Sequence, residues 1–381
     1  MVSKTRITII NVAIIVTLFT ANVVLSDETI PADRGQLETW FSSIITPLEQ
    51  RKDTLDPALV TAEATPKIIK VNQDGSGEFK TITDALNSIP TSNTQRVILN
   101  IGAGNYNEKI KVERAKPFVT FYGSPDNMPN ITYGGTASQY GTVDSATVIV
   151  EGDYFVAANV IISVCIISSH HQLKLFIICN SAPLPDGKRP GAQAVALRAS
   201  GDKTTFYNCQ FIGFQDTICD DRHNHFFKDC LIQGTVDYIF GSGRSLYLKS
   251  ELRSLGDTGP TVIVAQARSS PTEDALYSFV HCDITGTGHD TFLARAWMSS
   301  PEVVFAYNNI TDVINPLAWN NNLHPEYDKT IHFGEYENTG PGADTKGRAP
   351  MMKQLTADEV KPYITLEMIQ ATKWLLPPPK I

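Results

Sequence analysis

The sequence predicts an all-β protein, a single-stranded parallel β-helix (solenoid) in which each turn of chain stacks on the previous one, with short peripheral helices. First, short β-branched runs separated by Gly, Asn, Asp and Pro begin at Lys67. Second, an aromatic residue, a cysteine, an apolar residue and a glycine recur at fixed spacing in 206–213, 227–234 and 279–286. Irregular repeats of roughly 20–30 residues are typical of solenoids, whereas propeller blades repeat at about 40 residues.

Composition and net charge indicate which class of protein this is and which binding partners are not expected. A chain of 381 residues with 42% hydrophobic and 19% charged residues is globular and long enough to bury a large core. Its net charge is −8 and it has no basic patch, so we expect no nucleic-acid partner. Bulk charge would not attract an acidic polymer either, so any such substrate must be held by a local site.

The N-terminus is interpreted as a signal peptide over residues 1–26. Lys4 and Arg6 precede an almost wholly apolar stretch, 7–25, and cleavage would leave Asp27 as the first residue. About 20 apolar residues could instead form a membrane anchor, which is the alternative. We expect cleavage, and therefore a secreted protein with no membrane contact afterwards.

Two sequons and six cysteines are compatible with export. The sequons begin at Asn130 and Asn309, and a chain of this length with six cysteines has room for one or two disulfides. Cys209 and Cys230 occupy the same position of the repeat, which leaves open a disulfide between neighbouring turns or a pair of buried thiols. The cysteines are Cys165, Cys179, Cys209, Cys219, Cys230 and Cys282.

The elements follow in order along the chain. Residues 27–66 are interpreted as an N-terminal helix and linker, because LETWFSSIITPLEQ has apolar residues at helical spacing and prolines follow it. Residues 67–381 are predicted to form the β-helix domain, with one early helix in 79–90. The clearest predicted strand runs are 67–71, 96–101, 109–112, 118–123, 146–150, 154–163, 194–199 and 261–267.

Two aspartates recur at the repeat interval. Asp216 and Asp237 are 21 residues apart, as are Gly213 and Gly234 and three further matched pairs. In a parallel β-helix such positions lie on adjacent turns, about 4.8 Å apart. Two carboxyl groups that close cannot both ionise easily, so one pKa should rise and the pair can supply an acid beside a nucleophile. Turn capping by the two aspartates is the alternative.

Two histidines, His223 and His225, lie in the sequence DDRHNH between two predicted turns of the coil. We interpret this stretch as a solvated loop, since no Cys or His cluster completes a metal site around them. The sequence therefore predicts neither a metal ion nor another cofactor.

Several ordered blocks resemble the plant pectinesterases (pectin methylesterases), and the resemblance extends over most of residues 67–370. It implies a right-handed parallel β-helix that hydrolyses methyl esters of polygalacturonate to pectate and methanol in the plant cell wall. Only about 40 residues separate the cleavage site from the first strand, so the chain is similar to the short form without an inhibitor-like helical pro-region. The blocks are VNQDGSGEFKTITDAL (71–86), YGTVDSATVIV (140–150), GAQAVALRASGD (191–202), GFQDT (213–217), DYIFG (237–241) and FLARAW (292–297).

The resemblance implies a role for each matching polar residue. Asp237 would be the nucleophile that attacks the ester carbonyl, and Asp216 would protonate the leaving methoxide and later activate water. Gln193 and Gln215 would stabilise the oxyanion, a task that suits neutral amide donors. Arg295 would hold Asp237 ionised while the pKa of Asp216 stays high.

Two further residues extend the implied site towards the substrate. Trp297 would form part of the sugar-binding wall, and Thr142 matches a threonine that contacts substrate. Without the surrounding sequence blocks, Trp297 would be assigned to core packing and Arg295 to a surface ion pair. Only the resemblance of those blocks to the family assigns the two residues to the active site. The implied substrate-binding residues are Thr142, Gln193, Arg295 and Trp297.

Two departures from the family's pattern bear on activity. Ala294 stands where the family usually carries Gly, and its methyl would strain the loop if the position needs positive φ or close approach to a ligand. Residues 164–179, VCIISSHHQLKLFIIC, contain none of the residues that turn a chain. We interpret them as an insertion or a gene-model artefact, the alternative being a surface loop closed by Cys165 and Cys179.

The implied substrate and partner is methyl-esterified homogalacturonan (pectin), with proteinaceous pectinesterase inhibitors as further partners and a monomer as the expected state. A pectate lyase would call for a calcium-binding carboxylate cluster and a serine esterase for G-x-S-x-G, and the sequence contains neither. The non-enzymatic alternative is a catalytically impaired β-helix protein that binds the cell wall.

Overall fold

The computed structural model of the chain describes residues 28–164, 190–257 and 259–381. The predicted signal peptide, 1–26, lies outside these ranges, as do residues 165–179 of the predicted insertion and the disulfide considered for them. Val164 is described, and it is the buried last residue of the strand Ile161–Val164. Within the described ranges, no helix combines the length and the apolar character needed to cross a bilayer.

The described residues form a parallel β-helix, which confirms the predicted all-β fold. Three sheets run along the coil, sheet A with eleven strands and sheets B and C with eight strands each. One turn places Thr204–Tyr207 in sheet A, Gln210–Ile212 in sheet C and Ile218–Asp220 in sheet B, before the next turn begins at Asn224. Neighbouring strands pair in parallel because each belongs to the next turn of the same coil.

The strands of the three sheets, in chain order, have the following bounds. Sheet A contains Lys67–Val71, Val97–Ile101, Val119–Tyr122, Val156–Ala158, Thr204–Tyr207, Asn224–Lys228, Arg244–Leu248, Leu276–Val280, Glu302–Ala306, His332–Tyr336 and Met352–Gln354. Sheet B contains Ile110–Val112, Val148–Val150, Leu197–Ala199, Ile218–Asp220, Ile239–Gly241, Thr261–Gln266, Thr291–Ala296 and Trp319–Asn320. Sheet C contains Asn105–Asn107, Asn130–Tyr133, Ile161–Val164, Gln210–Ile212, Leu231–Gly234, Glu251–Leu255, Asp283–Thr287 and Asn309–Ile310.

The helices are short. The predicted helix in 79–90 is present as Ile82–Asn87, which begins at the N-cap Thr81 and adds apolar side chains to the first turns of the core. The α-helices are Leu37–Ile44, Pro57–Glu63, Ile82–Asn87, Ala137–Tyr140 and Ala357–Val360. The 3-10 helices are Arg34–Gln36, Leu48–Gln50, Val143–Ser145, Pro325–Lys329, Pro341–Ala343, Thr345–Gly347, Lys361–Tyr363, Leu366–Ile369 and Ala371–Lys373.

The strand register confirms the 21-residue interval. Phe206 pairs with Phe227 in sheet A, and Ile218 pairs with Ile239 in sheet B. Inside the coil, inward-facing rings of successive turns stack with centroids 4.5 to 4.7 Å apart, close enough for each ring to add dispersion and quadrupole attraction to its burial. This aromatic ladder consists of Phe206, Phe227, Tyr247, Phe279 and Phe305.

The two ends of the described chain cover the outer face of sheet A. Helix Leu37–Ile44 lays Phe41 against Phe226 of this sheet, with the ring centroids 5.8 Å apart. Arg51 donates to the carbonyl oxygen of Leu375 at 2.6 Å, which joins the N-terminal helices to the C-terminal segment. These terminal segments therefore shield part of the apolar outer face of sheet A from water.

The described cysteines are free and buried. Of the two interpretations of Cys209 and Cys230, the structure therefore supports buried thiols. Burial raises the pKa of the Cys230 thiol well above its ordinary value, so it packs as a small apolar side chain. The four are Cys209, Cys219, Cys230 and Cys282.

Candidate active site

Sheet B supplies the floor of the candidate site. Its register aligns Cys219, Phe240, Ala265 and Arg295 on four successive strands. Side chains alternate along a strand, and the neighbouring Ala294 points into the core, where it is fully buried. The aligned row therefore faces the outer side of sheet B.

One cleft on this outer face brings together all seven site residues predicted from the sequence. They come from five stretches of chain that are distant in sequence and adjacent in space because the coil stacks them. The cleft is also lined by Val143, Phe240 and Ala265, which sequence reasoning did not single out. The seven predicted residues are Thr142, Gln193, Gln215, Asp216, Asp237, Arg295 and Trp297.

Asp216 and Asp237 occupy equivalent positions on adjacent turns, each between a strand of sheet C and a strand of sheet B. The backbone N–H of Asp216 donates to the carbonyl oxygen of Val236 at 3.1 Å, which fixes the two turns against each other. Both aspartates have left-handed backbone, with φ of 64° and 52°, a conformation that Asp adopts more readily than most residues. Neither carboxyl accepts a hydrogen bond from the backbone of a described residue, so the capping alternative does not apply.

Arg295 distinguishes the two carboxyl groups. Its Nε donates to Oδ1 of Asp237 at 2.8 Å and its Nη2 donates to Oδ2, which makes the pair bidentate. None of the described residues donates a hydrogen bond to the carboxyl of Asp216. The side chains of Arg295 and Asp237 are only 23% and 6% exposed, so this is not the surface ion pair left open by the sequence.

The two pKa values respond to burial and to the neighbouring charges. Burial and, next, the charge of Asp237 raise the pKa of Asp216 to about 8, while Arg295 acts against both. Burial also raises the pKa of Asp237, but the hydrogen bonds and the charge of Arg295 oppose that rise. With a pKa of about 8, Asp216 keeps its proton at neutral pH, whereas the guanidinium group of Arg295 favours the ionised form of Asp237.

Amide and aromatic side chains complete the cleft. Gln193 donates through Nε2 to Oγ1 of Thr142 at 3.2 Å. Gln215 is partly exposed and makes no hydrogen bond with a described residue, so its amide can donate to a ligand. Trp297 is 50% exposed, which excludes core packing, and its ring centroid lies 5.1 Å from Cζ of Arg295.

Asn322 lies beside the site and was missed by sequence reasoning. Its Oδ1 accepts a hydrogen bond from Nη1 of Arg295 at 3.2 Å. In the sequence it is the last residue of an Asn-Asn-Asn run, 320–322, and no motif marks it. Only the pairing of the strand Trp319–Asn320 with the strand that carries Arg295 brings it to the cleft.

Comparison with known proteins decides the family. The sequence model of the family described as pectinesterase matches residues 68–182 and 186–372. The chain belongs to the pectinesterase family. Pectinesterase 1 of Olea europaea is 52% identical over 359 residues, and the alignment covers 93% of each chain. A pectinesterase of Parthenium hysterophorus is also 52% identical over 359 residues, with the same coverage.

Solved structures of pectin methylesterases share the fold of this pectinesterase. The enzyme from carrot superimposes with a TM-score of 0.67 at 29% identity, covering 77% of this chain and 89% of the carrot chain. The deglycosylated enzyme from Aspergillus niger gives a TM-score of 0.66 at 26% identity, covering 82% and 97% of the two chains. The resemblance drawn from the sequence blocks is thereby confirmed.

Of the two histidines that were predicted to lie in a solvated loop, His223 and His225, only His223 is exposed to solvent. His223 is exposed, but the prediction of a solvated loop is wrong for His225, which is fully buried because the next strand of sheet A begins at Asn224. His225 Nδ1 lies 2.5 Å from Oδ1 of Asp220, and Nε2 donates to the carbonyl oxygen of Gly201 at 3.0 Å. Among the described residues, no group of three or more His, Cys, Asp and Glu side chains could hold a metal ion.

Ala294 does not strain the site of this pectinesterase. It lies within the strand Thr291–Ala296 rather than in a loop, and its φ is not positive. Its methyl group points away from the cleft into the core. The departure from the family's usual Gly therefore does not disturb the backbone that carries Arg295.

Proposed function

We propose that this chain hydrolyses the methyl esters of pectin to pectate and methanol, with Asp237 as nucleophile and Asp216 as general acid and base. The observation that carries the proposal is the different environment of the two carboxyl groups in one open cleft. The pKa of Asp216 is about 8, and Asp237 on the adjacent turn is paired with the guanidinium group of Arg295. An ester hydrolase of this type needs one group to attack and another to donate a proton at the same pH.

In the first step, a carboxylate oxygen of Asp237 forms a bond to the ester carbonyl carbon, which gives a tetrahedral oxyanion. The amide groups of Gln193 and Gln215 flank the aspartates and can donate to that oxygen without acting as acids. As the oxyanion collapses, the bond to methoxide breaks, and methoxide takes the proton of Asp216 and leaves as methanol.

In the second step, the acyl group remains on Asp237 as an anhydride. Asp216, now ionised, takes a proton from water, and the resulting hydroxide attacks the carbonyl carbon of the galacturonate. The bond to Asp237 breaks, so that a galacturonic carboxyl group is formed and Asp237 is again a carboxylate. Both side chains return to their starting protonation states, and the net reaction consumes one ester and one water.

Thr142 and Trp297 are proposed to contact the sugar chain. The half-exposed indole of Trp297 offers an apolar surface at the rim of the cleft, as a sugar ring requires. Thr142 already engages Gln193 and thereby orients its amide. Pectin, the substrate class that the family's name denotes, fits an open cleft that a long polymer can cross.

The proposal is tested by replacing the nucleophile. Asp237→Asn removes the charge but keeps the shape, so release of methanol from methyl-esterified pectin should fall to background while the thermal unfolding transition remains cooperative. Asp53→Asn is a matched control, because Asp53 is exposed and makes no ion pair with a described residue. Substantial methanol release by the Asp237→Asn protein would contradict the assignment. A wild-type protein that binds pectin but releases no methanol would favour the impaired wall-binding alternative.

We also propose that the chain acts as a monomer in the plant cell wall after removal of residues 1–26, with protein inhibitors of pectinesterases as partners. The similarity to plant pectinesterases supports this location. Of the two sequons, Asn130 is buried and hydrogen-bonds with Asn105 and Ser163, whereas Asn309 is exposed. Any N-linked glycan is therefore expected at Asn309.

The proposed domain limits are 27–66 for the N-terminal helix and linker and 67–381 for the catalytic β-helix. We retain the proposal that 164–179 contains an insertion or gene-model artefact, although Val164 itself is part of a strand. Sequencing the transcript distinguishes this from a genuine loop, since a cDNA that contains these codons rules out the artefact.

A further inference from the structure

Arg295 is held on three sides. Nε and Nη2 donate to the carboxylate of Asp237, Nη1 donates to Oδ1 of Asn322 at 3.2 Å, and the ring of Trp297 lies 5.1 Å from Cζ. A guanidinium group carries its donors in a rigid plane, so fixing Nη1 on one edge also fixes the edge that faces Asp237. The contact with Asn322 therefore bears on the geometry of the ion pair.

Asn322 is itself held in a defined conformation. Its backbone is left-handed, with φ of 59°, and its N–H donates to Oδ1 of Asn320 at 2.6 Å. Asn320 pairs directly with Arg295 in sheet B. The preceding residue, Trp319, is buried and donates through Nε1 to Glu335 at 2.8 Å. The segment that carries the Asn322 amide is thus anchored to the core on one side and to the site on the other.

We propose that Asn322 is a positioning residue, whose amide oxygen orients the Arg295 guanidinium towards Asp237. This inference rests on the proposed function, because it concerns the same ester hydrolysis. Asn322 acts through Arg295 and is not assigned a contact with the reacting atoms.

The side-chain chemistry explains why an amide suits this position. The oxygen of Asn322 satisfies the outer donor of Arg295 without adding a charge to the site. A carboxylate at the same place would also accept from Nη1, but it would share the positive charge that stabilises ionised Asp237. An aliphatic or absent side chain would leave the outer edge of Arg295 without a fixed acceptor.

Two variants separate orientation from charge. Asn322→Gly removes the acceptor without backbone strain, because glycine adopts positive φ freely. Asn322→Asp keeps an acceptor of nearly the same shape and adds a negative charge. Asn321→Ala is the matched control, since Asn321 lies in the same segment but hydrogen-bonds with Asp328 and not with Arg295. For each protein, kcat and KM for methanol release are measured from pH 4 to pH 9, with the thermal unfolding midpoint as a check of folding.

We expect kcat of Asn322→Gly to fall about tenfold, the scale of one lost hydrogen bond to a charged group, with little change in KM. In Asn322→Asp the added charge makes Asp237 harder to ionise, so the acidic limb of kcat/KM moves to higher pH. Above that limb, kcat of Asn322→Asp should exceed that of Asn322→Gly, because an acceptor for Arg295 is restored. Asn321→Ala should match wild type in both respects.

The inference is overturned if folded Asn322→Gly keeps kcat within twofold of wild type and the acidic limb of Asn322→Asp does not move. An equal fall of kcat in Asn321→Ala would also overturn it, because the effect would then belong to the segment and not to the contact with Arg295. Failure of the proposed function can be distinguished from failure of this inference, because in that case the wild-type protein itself would release no methanol.

Discussion

Replacing Asp216 by Asn should make the protein more stable at neutral pH while removing its activity. In the folded protein the pKa of Asp216 is about 8, compared with an ordinary value of 3.8. Between these two pH values the folded state keeps the carboxyl protonated, whereas the unfolded state releases the proton. Unfolding is therefore favoured as pH rises, and the wild-type protein loses stability across this range. Because an amide does not titrate, the Asp216→Asn protein should not show this loss of stability as the pH rises.

The size of the effect follows from the same two values. At about 1.4 kcal/mol for each pH unit between them, the full loss in the wild-type protein is about 6 kcal/mol above pH 8. About 2 kcal/mol of it is reached at pH 5 and about 5 kcal/mol at pH 7.5. The stability advantage of Asp216→Asn over wild type should therefore grow by about 3 kcal/mol between pH 5 and pH 7.5.

Urea unfolding at pH 5, 6, 7 and 7.5 measures this growth directly, because it compares differences between two proteins and any constant offset from the substitution cancels. Asp53→Asn serves as the control, since an exposed aspartate without an ion pair to a described residue should leave the pH dependence of wild type unchanged. If the free energies of unfolding of Asp216→Asn and wild type differ by a constant amount from pH 5 to pH 7.5, Asp216 titrates normally in the folded state. The proposed division of the pair into acid and nucleophile would then lose its basis.

Two further predictions concern the scaffold. Ala294→Gly should leave kcat and KM for methanol release unchanged, because Ala294 is a strand residue that faces the core. The same change should lower the free energy of unfolding by about 0.5–1 kcal/mol, since glycine loses more conformational freedom on folding. A changed kcat would show that the position does act on the site. Phe227→Ala should lower the free energy of unfolding by about 3–5 kcal/mol, because it removes a fully buried ring from the middle of the aromatic ladder. A loss below 1 kcal/mol in urea unfolding would contradict the role of this ladder in the core.

The fold and the pairing of the two aspartates were accessible from the sequence because a solenoid converts a sequence interval into a fixed displacement in space. The other site residues were assigned from the resemblance of their sequence blocks to the family. The interval that relates Phe206 to Phe227 also relates Asp216 to Asp237, so the equivalent positions of the two aspartates on adjacent turns follow from the repeat. The alternation of side chains along a strand likewise places Arg295 outside the coil once its neighbour Ala294 is inside.

What the sequence determined by itself is therefore the register of the turns and the placement of Asp216 and Asp237 on adjacent turns, while the resemblance to the family added the other residues of the cleft. Only the tertiary structure decided the burial and the partners of individual polar groups, because these depend on turns of unequal length and on contacts between distant segments. His225 is enclosed by its neighbours although its local sequence is that of a polar loop. Asn322 reaches Arg295 across 27 residues of chain without any motif. The pKa of Asp216 rises because burial excludes water from its carboxyl, and burial is a property of the packed molecule.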